Sequence, residues 1–274
     1  MEGAAIDREI EAKAINQSEL IVTCYFTKLV DPQHDMIRRE PEYKYIKPWY
    51  DTVKKLGLNG VIVHDGLTPD FIAEYETDRI QFLQFSPGEF SIFEERWIAY
   101  YLLLKNNPNI QHAFFTDSND VEVNFNPFER HNSDSVIYAG RDQSNRVGDS
   151  MWVIDEMNDF IKESGYQVSD LIRYQNLFNA GLVGGKREYL LAIISKLVSL
   201  ALLGKTNSHK DMSLLNIAIF EVLRPKLNTA YFQDRITNPE NDFGSSLNNV
   251  VSGFPLNSPF KAFEKNSKAT FSHK

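Results

Sequence analysis

The sequence has one cysteine, no apolar run of membrane-spanning length and fewer basic than acidic residues. A lone Cys24 excludes an intramolecular disulfide and a metal site made only of thiolates, so we expect reducing surroundings. A membrane span needs about 20 apolar residues, and the acidic start of the chain lacks the apolar region of a signal peptide. We therefore expect a cytoplasmic protein without a membrane span. The net charge of −8 argues against nucleic acid as a partner, because binding it requires clustered Lys and Arg.

The composition is that of an ordinary folded protein. Of the 274 residues, 42% are hydrophobic and 24% are charged, which excludes a disordered or collagen-like chain. In the N-terminal half, short apolar runs alternate with amphipathic stretches, a pattern typical of a parallel or mixed sheet with crossover helices. No internal repeat or clear linker interrupts the chain. We therefore predict an α/β fold, a mixed Rossmann-type sheet flanked by helices in a single domain.

Local patterns place the helices and strands. Predicted strands cover Leu20–Phe26, Gly60–His64, Ile80–Phe85, Gln111–Thr116 and Ser135–Ala139. Predicted helices cover Tyr43–Leu56, Phe90–Lys105, Trp152–Ser164 and the apolar stretch Tyr189–Leu203, which is too short for a membrane span and is expected in the core. A loop is predicted from the fifth strand through Ser150, and a strand-to-helix turn is predicted at Gly184-Gly185.

The strongest local signal is the segment HAFFTDSNDVEV, in which an apolar strand leads directly into Asp117 and Asp120. In open α/β sheets, ligands bind outside the carboxyl ends of the strands. Two neighbouring carboxylates repel each other unless a cation lies between them, and a hard divalent ion with oxygen ligands satisfies both. The alternative interpretation is structural: Asp117 caps the following turn, and Asp120 or Glu122 is simply solvated.

A second signal is FNAGLVGGKRE, where Gly184-Gly185 precedes a helix. Glycine permits close approach of a ligand to the backbone, and a helix N-terminus favours an anionic group. The alternative is a turn that needs positive φ. The spacing does not match a dinucleotide-binding fingerprint, and no P-loop Gly-Lys-Ser or Gly-Lys-Thr is present, which disfavours a dehydrogenase and a P-loop NTPase.

Two further segments contain candidate residues. Asp211 precedes an apolar helix, where it either caps the helix or acts on a bound hydroxyl group as a general base or orienting group. His273 and Lys274 follow the short β-like stretch Ala269–Ser272. Terminal residues are usually exposed, but in a tail that folds back His273 is a candidate metal ligand and Lys274 a candidate phosphate contact.

In this order, the four segments resemble the GT-A family of metal-dependent, nucleotide-sugar glycosyltransferases, over Leu20–Lys274. Members of that family have an Asp-x-Asp motif after a strand, a segment of the type Asn-x-Gly-x-x-Gly-Gly, an acidic helix start and, often, a C-terminal His. The corresponding pieces here are Asp117-Ser118-Asn119-Asp120, Asn179-Ala180-Gly181-Leu182-Val183-Gly184-Gly185, Asp211 and His273-Lys274.

The resemblance implies a Mn²⁺ or Mg²⁺ ion held against the donor diphosphate by Asp117, Asp120 and His273. This sequence departs from the family motif, because two residues instead of one separate its aspartates. Asp120-Val121-Glu122 is therefore a competing register for the metal ligands.

The resemblance also assigns residues to the donor and the acceptor. Implied donor contacts are Thr23, Cys24, Tyr25, Phe26, Asp65, Arg96, Asp117, Ser118, Asn119 and Lys274, with Tyr25 or Phe26 stacking on the base. Implied sugar and acceptor contacts are Asn179, Ala180, Gly181, Gly184 and Gly185, and Asp211 is the implied catalytic residue. Four of the donor residues also have a structural interpretation: Tyr25 and Phe26 in the core, Asp65 in a turn and Arg96 in a surface ion pair.

The implied activity is hexosyl or pentosyl transfer from a nucleotide-sugar, with a UDP-sugar favoured, to a hydroxyl of a glycan or glycoconjugate. On this basis residues 1–19 form an extension, 20–123 a nucleotide-binding half and 124–274 an acceptor-binding half with the tail. In an inverting enzyme Asp211 deprotonates the acceptor, whereas in a retaining enzyme it orients a substrate.

Three other functions remain open. A sugar-nucleotide pyrophosphorylase shares the fold class but expects a glycine-rich loop near the first strand, and residues 23–30 contain no glycine. A non-catalytic glycan- or protein-binding module with a degenerate site would explain the irregular aspartate spacing. A hydrolase built on paired carboxylates would need no nucleotide.

Overall fold

The structure is a computed structural model that describes residues 7–32, 36–37, 40–130, 137–204, 210–223, 250–252 and 270–273. Its strands are Glu9–Ile10 (β1), Glu19–Tyr25 (β2), Val30–Asp31 (β3), Met36–Ile37 (β4), Gly60–His64 (β5), Ile80–Ser86 (β6), His112–Thr116 (β7), Val121–Val123 (β8), Ile137–Arg146 (β9), Asn176–Lys186 (β10), Val250–Ser252 (β11) and Phe271–His273 (β12). Its α-helices are Tyr43–Lys55 (α1), Pro69–Tyr75 (α2), Ile92–Asn106 (α3), Pro127–Arg130 (α4), Met151–Ser164 (α5), Arg187–Gly204 (α6) and Asp211–Leu223 (α7). Short 3₁₀ turns occupy Val147–Asp149 and Asp170–Tyr174.

The elements predicted in the N-terminal half are confirmed to within two residues at each end. Local chemistry fixes the starts of α3 and of α2, a short helix that is not predicted from the sequence. The hydroxyl groups of Thr68 and Ser91 accept hydrogen bonds from backbone N–H groups in the first turns of α2 and α3, and Pro69 occupies the first turn of α2, where no intrahelical donor is lost. Periodicity and capping together therefore specify this half well.

Two predictions for the C-terminal half are wrong. The predicted loop between Ala139 and Ser150 is mostly strand, since β9 continues to Arg146 by pairing with the first residues of β10. Gly184-Gly185 is not a turn either, because β10 extends to Lys186. In both places, backbone pairing with a distant strand overrides a composition that is typical of loops.

Within the described residues, the main sheet has eight strands in the order β1-β6-β5-β2-β7-β10-β9-β11. Strands β6, β5, β2 and β7 are parallel, β10 is antiparallel to β7, and β9 is antiparallel to β10. The chain adds β5 and β6 on one side of β2, and α3 then crosses back so that β7 lies on the other side. This reversal between β2 and β7 leaves a crevice at the carboxyl ends of those two strands. The predicted mixed α/β sheet is confirmed.

Each face of the sheet covers its own hydrophobic core. Side chains alternate along a strand, so Leu20 and Val22 of β2 belong to the core beneath α3, α5, α6 and α7. Ile21 and Tyr25 of the same strand belong to the opposite core, which contains residues of α1 and α2. Strands that are apolar throughout are those that are buried on both faces, as β5 is.

Helix α6 lies in the first core, as its apolar sequence predicts. Its buried side chains recur at three- and four-residue spacing on one face and include Leu190, Ile193, Ile194 and Leu197. Among the described residues, none of the helices combines the length and the apolar character that crossing a membrane requires.

Both ends of the described chain join sheets. Glu9–Ile10 pairs with Phe85 and Ser86 at the edge of the main sheet, so part of the predicted extension 1–19 belongs to the fold. At the other end, Phe271–His273 pairs antiparallel with Val121–Val123. The described residues thus place strands of the predicted nucleotide-binding and acceptor-binding halves in one continuous sheet.

Gly184 has a packing role in the sheet. It pairs with Phe114 in β7, and a Cβ at position 184 would overlap the ring of that residue. We predict that Gly184→Ala lowers the free energy of unfolding by about 1–3 kcal/mol, because the ring must leave its packed position. Urea denaturation measures the change.

The matched control for this prediction is the double variant Gly184→Ala/Phe114→Leu. A smaller side chain at position 114 makes room for the added methyl group. The double variant should therefore lose less stability than the sum of the losses of the two single variants. A Gly184→Ala variant as stable as the wild type would contradict the packing role.

Candidate functional site

A cavity of about 310 Å³ opens at the reversal point between β2 and β7. Its floor is formed by the ends of these two strands, and one wall is formed by the first turns of α3. The lining residues are Cys24, Phe26, Asp31, Tyr45, Ile92, Phe93, Arg96, Tyr100, Thr116, Asp117, Ser118, Asn119 and Asp120. The predicted position of the site, at the carboxyl ends of the strands, therefore coincides with a cavity of the size that small ligands occupy.

The turn Asp117–Asp120 supplies two carboxylates to the cavity. Strand β7 positions its start, because the Asp117 N–H donates to the Gly181 carbonyl of β10 at 2.9 Å. Strand β8 begins directly after Asp120, and Val121 and Val123 point into the core. Glu122 lies between them, on the other face of β8, and does not line the cavity. The structure thus brings Asp117 and Asp120 together and leaves Glu122 outside.

Arg96 is the central cation of the site. It projects from α3, and its guanidinium forms ion pairs with Asp117 at the cavity and with Asp211 at the first residue of α7. One of its nitrogens also donates to the Ala180 carbonyl at 3.3 Å. Burial opposes the charge of Arg96, but the two carboxylates outweigh it and hold the pKa of the guanidinium above its ordinary value. The arginine therefore stays charged at every pH in which the protein is folded.

Asp211 lies behind Arg96 and does not line the cavity. Only 2% of its side chain is exposed, compared with 27% for Asp117. Its carboxylate is an ion-pair partner of the arginine, and Asp211 is the first residue of α7. In this arrangement Asp211 positions Arg96.

An irregularity in β10 supplies the remaining contacts of Arg96 and of the turn. The register with β9 shifts between Asn179 and Val183. Within this bulge, the Asn179 side chain accepts from the Gly181 N–H at 2.7 Å, while the Ala180 and Gly181 carbonyls contact Arg96 and Asp117. Bulges that redirect backbone groups are common beside functional sites. Asn179, Ala180 and Gly181 thus lie beside Arg96 and Asp117 without lining the cavity, and their contact with a sugar or an acceptor stays a prediction.

Gly184 and Gly185 do not lie there. They pair with Phe114 and Ala113 in the interior of the sheet, and β10 runs from the cavity towards the opposite edge. The helix N-terminus that follows them begins at Arg187, beyond the start of β7. The structure gives Gly184 a packing role and places the helix end that follows these two glycines away from the cavity.

The residues predicted at the end of β2 divide into two groups. Cys24 and Phe26 line the cavity. Thr23 is fully buried and donates to the Thr116 carbonyl at 2.9 Å, which ties β2 to β7. Tyr25 is buried beneath Tyr45, with their rings stacked at 4.7 Å, and Tyr45 borders the cavity instead.

Cys24 is not poised for nucleophilic chemistry. Burial raises the pKa of its thiol to about 12, although the thiol lies beside the hydroxyl group of Tyr100. Since the thiolate is the reactive form, Cys24 contributes a small, neutral surface to the cavity floor.

Asp65 holds a loop and does not line the cavity. One of its carboxylate oxygens accepts from the N–H and hydroxyl of Thr27, at 2.6 and 3.0 Å, and the other accepts from the N–H of Lys28 at 2.8 Å. These hydrogen bonds fit the alternative interpretation of Asp65 as a residue that stabilises a turn. Asp65 therefore shapes the rim that follows β2.

The C-terminal strand reaches the site by its backbone. Residue 273 pairs with Val121, the residue after Asp120. This is the folded-back tail on which the prediction of His273 as a metal ligand depends, while Lys274 lies outside the described residues. Among the described side chains, no group of three or more His, Cys, Asp or Glu residues is arranged to hold a metal ion.

Several cavity residues were missed from the sequence. Asp31 and Tyr45 come from β3 and α1, and Ile92, Phe93 and Tyr100 come from α3. For α3 the signal was present, because Arg96 had been assigned to the site and residues at positions 92, 93 and 100 share its helical face. No pattern in the sequence indicates that Asp31 lines the cavity, because its position depends on the pairing of β3 with β4.

Buried carboxyl groups surround the rear of the site. Glu94 is buried and accepts from the Ser91 hydroxyl and from the Lys210 N–H, the latter at 3.3 Å. Burial raises the pKa of Glu94 to about 7, and burial together with the charge of Asp211 raises that of Glu156 to about 8. Both groups are therefore largely protonated below neutral pH.

No protein-family profile and no curated protein matches the chain. Among solved structures, it is similar to the galactosyltransferase LgtC in complex with donor and acceptor sugar analogs, with a TM-score of 0.46 and 14% identity. It is also similar to an active-site mutant of LgtC, with a TM-score of 0.49 and 14% identity. Each alignment covers 73% of this chain and 70% of the other. At this level of similarity, function has to be argued from the residues of the cavity.

The raised pKa of Glu156 predicts a pH-dependent stability. The unfolded state releases this proton near pH 4.5 and the folded state near pH 8, so stability is complete at low pH and falls as pH rises between these values. We expect Glu156→Gln to remove this part of the dependence, so that its free energy of unfolding rises relative to that of the wild type by about 4 kcal/mol between pH 5 and pH 8.5, since one unit of pKa shift corresponds to about 1.4 kcal/mol.

Urea denaturation across this pH range measures the effect. Asp159→Asn is a suitable control, because Asp159 is an exposed acidic residue on the same helix. Parallel stability curves for the wild type and Glu156→Gln would contradict the prediction.

Proposed function

We propose that the protein is a glycosyltransferase that binds a nucleotide-sugar donor, with a UDP-sugar as the first choice, in the cavity between β2 and β7. A hexosyl or pentosyl group would pass to a hydroxyl of a glycan or glycoconjugate. The observation that carries the proposal is the convergence of two carboxylates, Asp117 and Asp120, and one arginine, Arg96, on a single cavity at the reversal point of the sheet.

The charges in the cavity suit a diphosphate accompanied by a cation. Arg96 offers a planar donor group, and its Nε is buried with no hydrogen-bond partner among the described residues. Asp117 and Asp120 would repel a diphosphate by themselves. Because carboxylates and phosphates are both oxygen ligands for a hard divalent ion, such an ion would convert this repulsion into attraction.

The donor set fits Mg²⁺ or Mn²⁺. Mg²⁺ is usually held by one or two carboxylates and by substrate phosphates, not by a complete cage of protein ligands. Asp117 and Asp120 supply the two carboxylates, and the strand Phe271–His273 brings the backbone of residue 273 beside the turn. When bound, the ion would stabilise negative charge on the leaving diphosphate.

Different groups around the cavity would hold the metal-binding turn, the nucleoside and the transferred sugar. Asp117 is held by β7 and β10, which keeps the metal-binding turn in place before a ligand arrives. Tyr45, Phe26 and Cys24 form an apolar side suited to a nucleoside. Asn179, Ala180 and Gly181 adjoin Arg96 and Asp117, where the transferred sugar would lie in this proposal.

The position of Asp211 supports an orienting role. A general base must come within hydrogen-bond reach of the acceptor hydroxyl, and Asp211 is instead buried against Arg96. By holding Arg96 it would fix the direction of the guanidinium towards the donor. This arrangement favours a reaction in which the protein orients the reactants over one in which Asp211 takes up the proton.

We expect a nucleotide that binds only the folded state to raise its melting temperature. At a hundredfold excess over the dissociation constant the stabilisation is about 2.7 kcal/mol, which corresponds to several degrees. Thermal-shift titrations with UDP, GDP, CMP and ADP, each with and without Mn²⁺, should show stabilisation by UDP that requires the metal. Hydrolysis of the UDP-sugar then distinguishes an enzyme from a non-catalytic module.

The aspartate register is tested with matched variants. Asp120→Asn should abolish the Mn²⁺-dependent stabilisation by UDP and the transfer reaction, because the amide removes one anionic ligand at constant size. Glu122→Gln should retain both, since Glu122 lies outside the cavity. Loss of UDP binding in Glu122→Gln would assign the ligand to the competing register, whereas full activity in Asp120→Asn would contradict both registers, because Asp120 belongs to each.

A further inference from the structure

Arg96 already occupies the carboxylate that the proposed metal requires. Its Nη1 pairs with Asp117 and its Nη2 pairs with Asp211, so the guanidinium bridges the cavity and the buried start of α7. Both ion pairs are shielded, since the Arg96 side chain is only 11% exposed. In such surroundings an ion pair is screened less than at a surface and is more costly to break.

A divalent cation at Asp117 would stand next to this guanidinium. The two cations repel each other, and they compete for one carboxylate. For the metal to bind, the arginine must give up part of its contact with Asp117, and it then needs another anion. Asp211 satisfies only one edge of the guanidinium, and the buried Nε has no partner among the described residues.

We propose that Arg96 is a lock on the metal site that a donor diphosphate opens. This inference rests on the proposed function and goes beyond it by specifying an order of events. Without the diphosphate, Arg96 neutralises Asp117 and keeps the affinity for a divalent cation low. With the diphosphate in the cavity, Arg96 pairs with phosphate oxygens and Asp117 becomes available to the metal.

The contacts of Arg96 explain why the lock is reversible. Asp211 is buried and fixed at the first residue of α7, so it retains one side of the guanidinium while the other side changes partner. The Ala180 carbonyl holds the same nitrogen as Asp211. Only Nη1, which pairs with Asp117, has to be released.

Measurements of Mn²⁺ binding at equilibrium, which need no catalytic turnover, test the proposed lock. The free Mn²⁺ signal in electron paramagnetic resonance gives the Mn²⁺ affinity of the wild type with and without UDP, and of Arg96→Met and Arg96→Lys without UDP. We expect Arg96→Met to bind Mn²⁺ alone about tenfold more tightly than the wild type, a typical size for coupling between sites. Arg96→Lys, which keeps a cation beside Asp117, should remain close to the wild type.

Two further variants keep the test decisive. In Arg96→Met, Asp211 is left buried without its cation, so Arg96→Met/Asp211→Asn removes both charges and should show the same gain in Mn²⁺ affinity if the single variant folds poorly. Arg187→Met is the matched control, because Arg187 donates to the Leu104 carbonyl far from the cavity. It should leave Mn²⁺ binding unchanged.

The outcomes separate the inference from the proposed function. Equal Mn²⁺ affinity in the wild type, Arg96→Met and the double variant, together with UDP-enhanced binding by the wild type, would overturn the lock and leave the proposed function standing. Absence of Mn²⁺ binding by the wild type even with UDP would contradict the proposed metal site and overturn the lock with it. Tighter binding of Mn²⁺ alone by both variants supports the lock.

Discussion

The site is organised around a guanidinium that is buried and must remain charged. A buried cation is costly unless carboxylates and carbonyls surround it, and Arg96 obtains both from three separate elements: the turn after β7, the bulge in β10 and the start of α7. The partners of Arg96 thus come from a turn, from a shift in the register of β10 and from the first residue of α7. The ion pairs therefore connect the position of α7 and the shape of β10 to the cavity.

The buried carboxyl groups behind Arg96 follow from the same arrangement. Glu94 lies in the first turn of α3 and Asp211 in the first turn of α7, so both carboxyl groups lie at positive helix ends. These ends favour negative charge, but one arginine cannot neutralise Asp117, Asp211, Glu94 and Glu156 together. Burial, together with the charge of Asp211, raises the pKa of Glu94 to about 7 and that of Glu156 to about 8, which reduces the excess of negative charge around Arg96 near neutral pH.

The sequence predicts those parts of the site that depend on local pattern. The strand His112–Thr116 and the acidic turn after it can be predicted, because a short apolar run between helical stretches has few interpretations other than a buried strand. The bulge at Asn179–Gly181 cannot be predicted in this way, because it exists only through the pairing of β10 with β7 and β9. For the same reason Thr23 and Asp65 could not be separated from Cys24 and Phe26: their hydrogen-bond partners are set by sheet register, which composition does not encode.

The C-terminal strand adds the last constraint on the cavity. Phe271 packs against Phe114 with their ring centroids 5.3 Å apart, and its strand pairs with Val121–Val123. The acidic turn is therefore anchored on one side by β7 and on the other by β8, which is itself held by a strand from the far end of the chain. A turn anchored at both ends loses little conformational entropy when a ligand binds. In the proposed lock, the rearrangement that metal binding requires would then fall mainly on Arg96, whose side chain can exchange partners without moving the backbone of the turn.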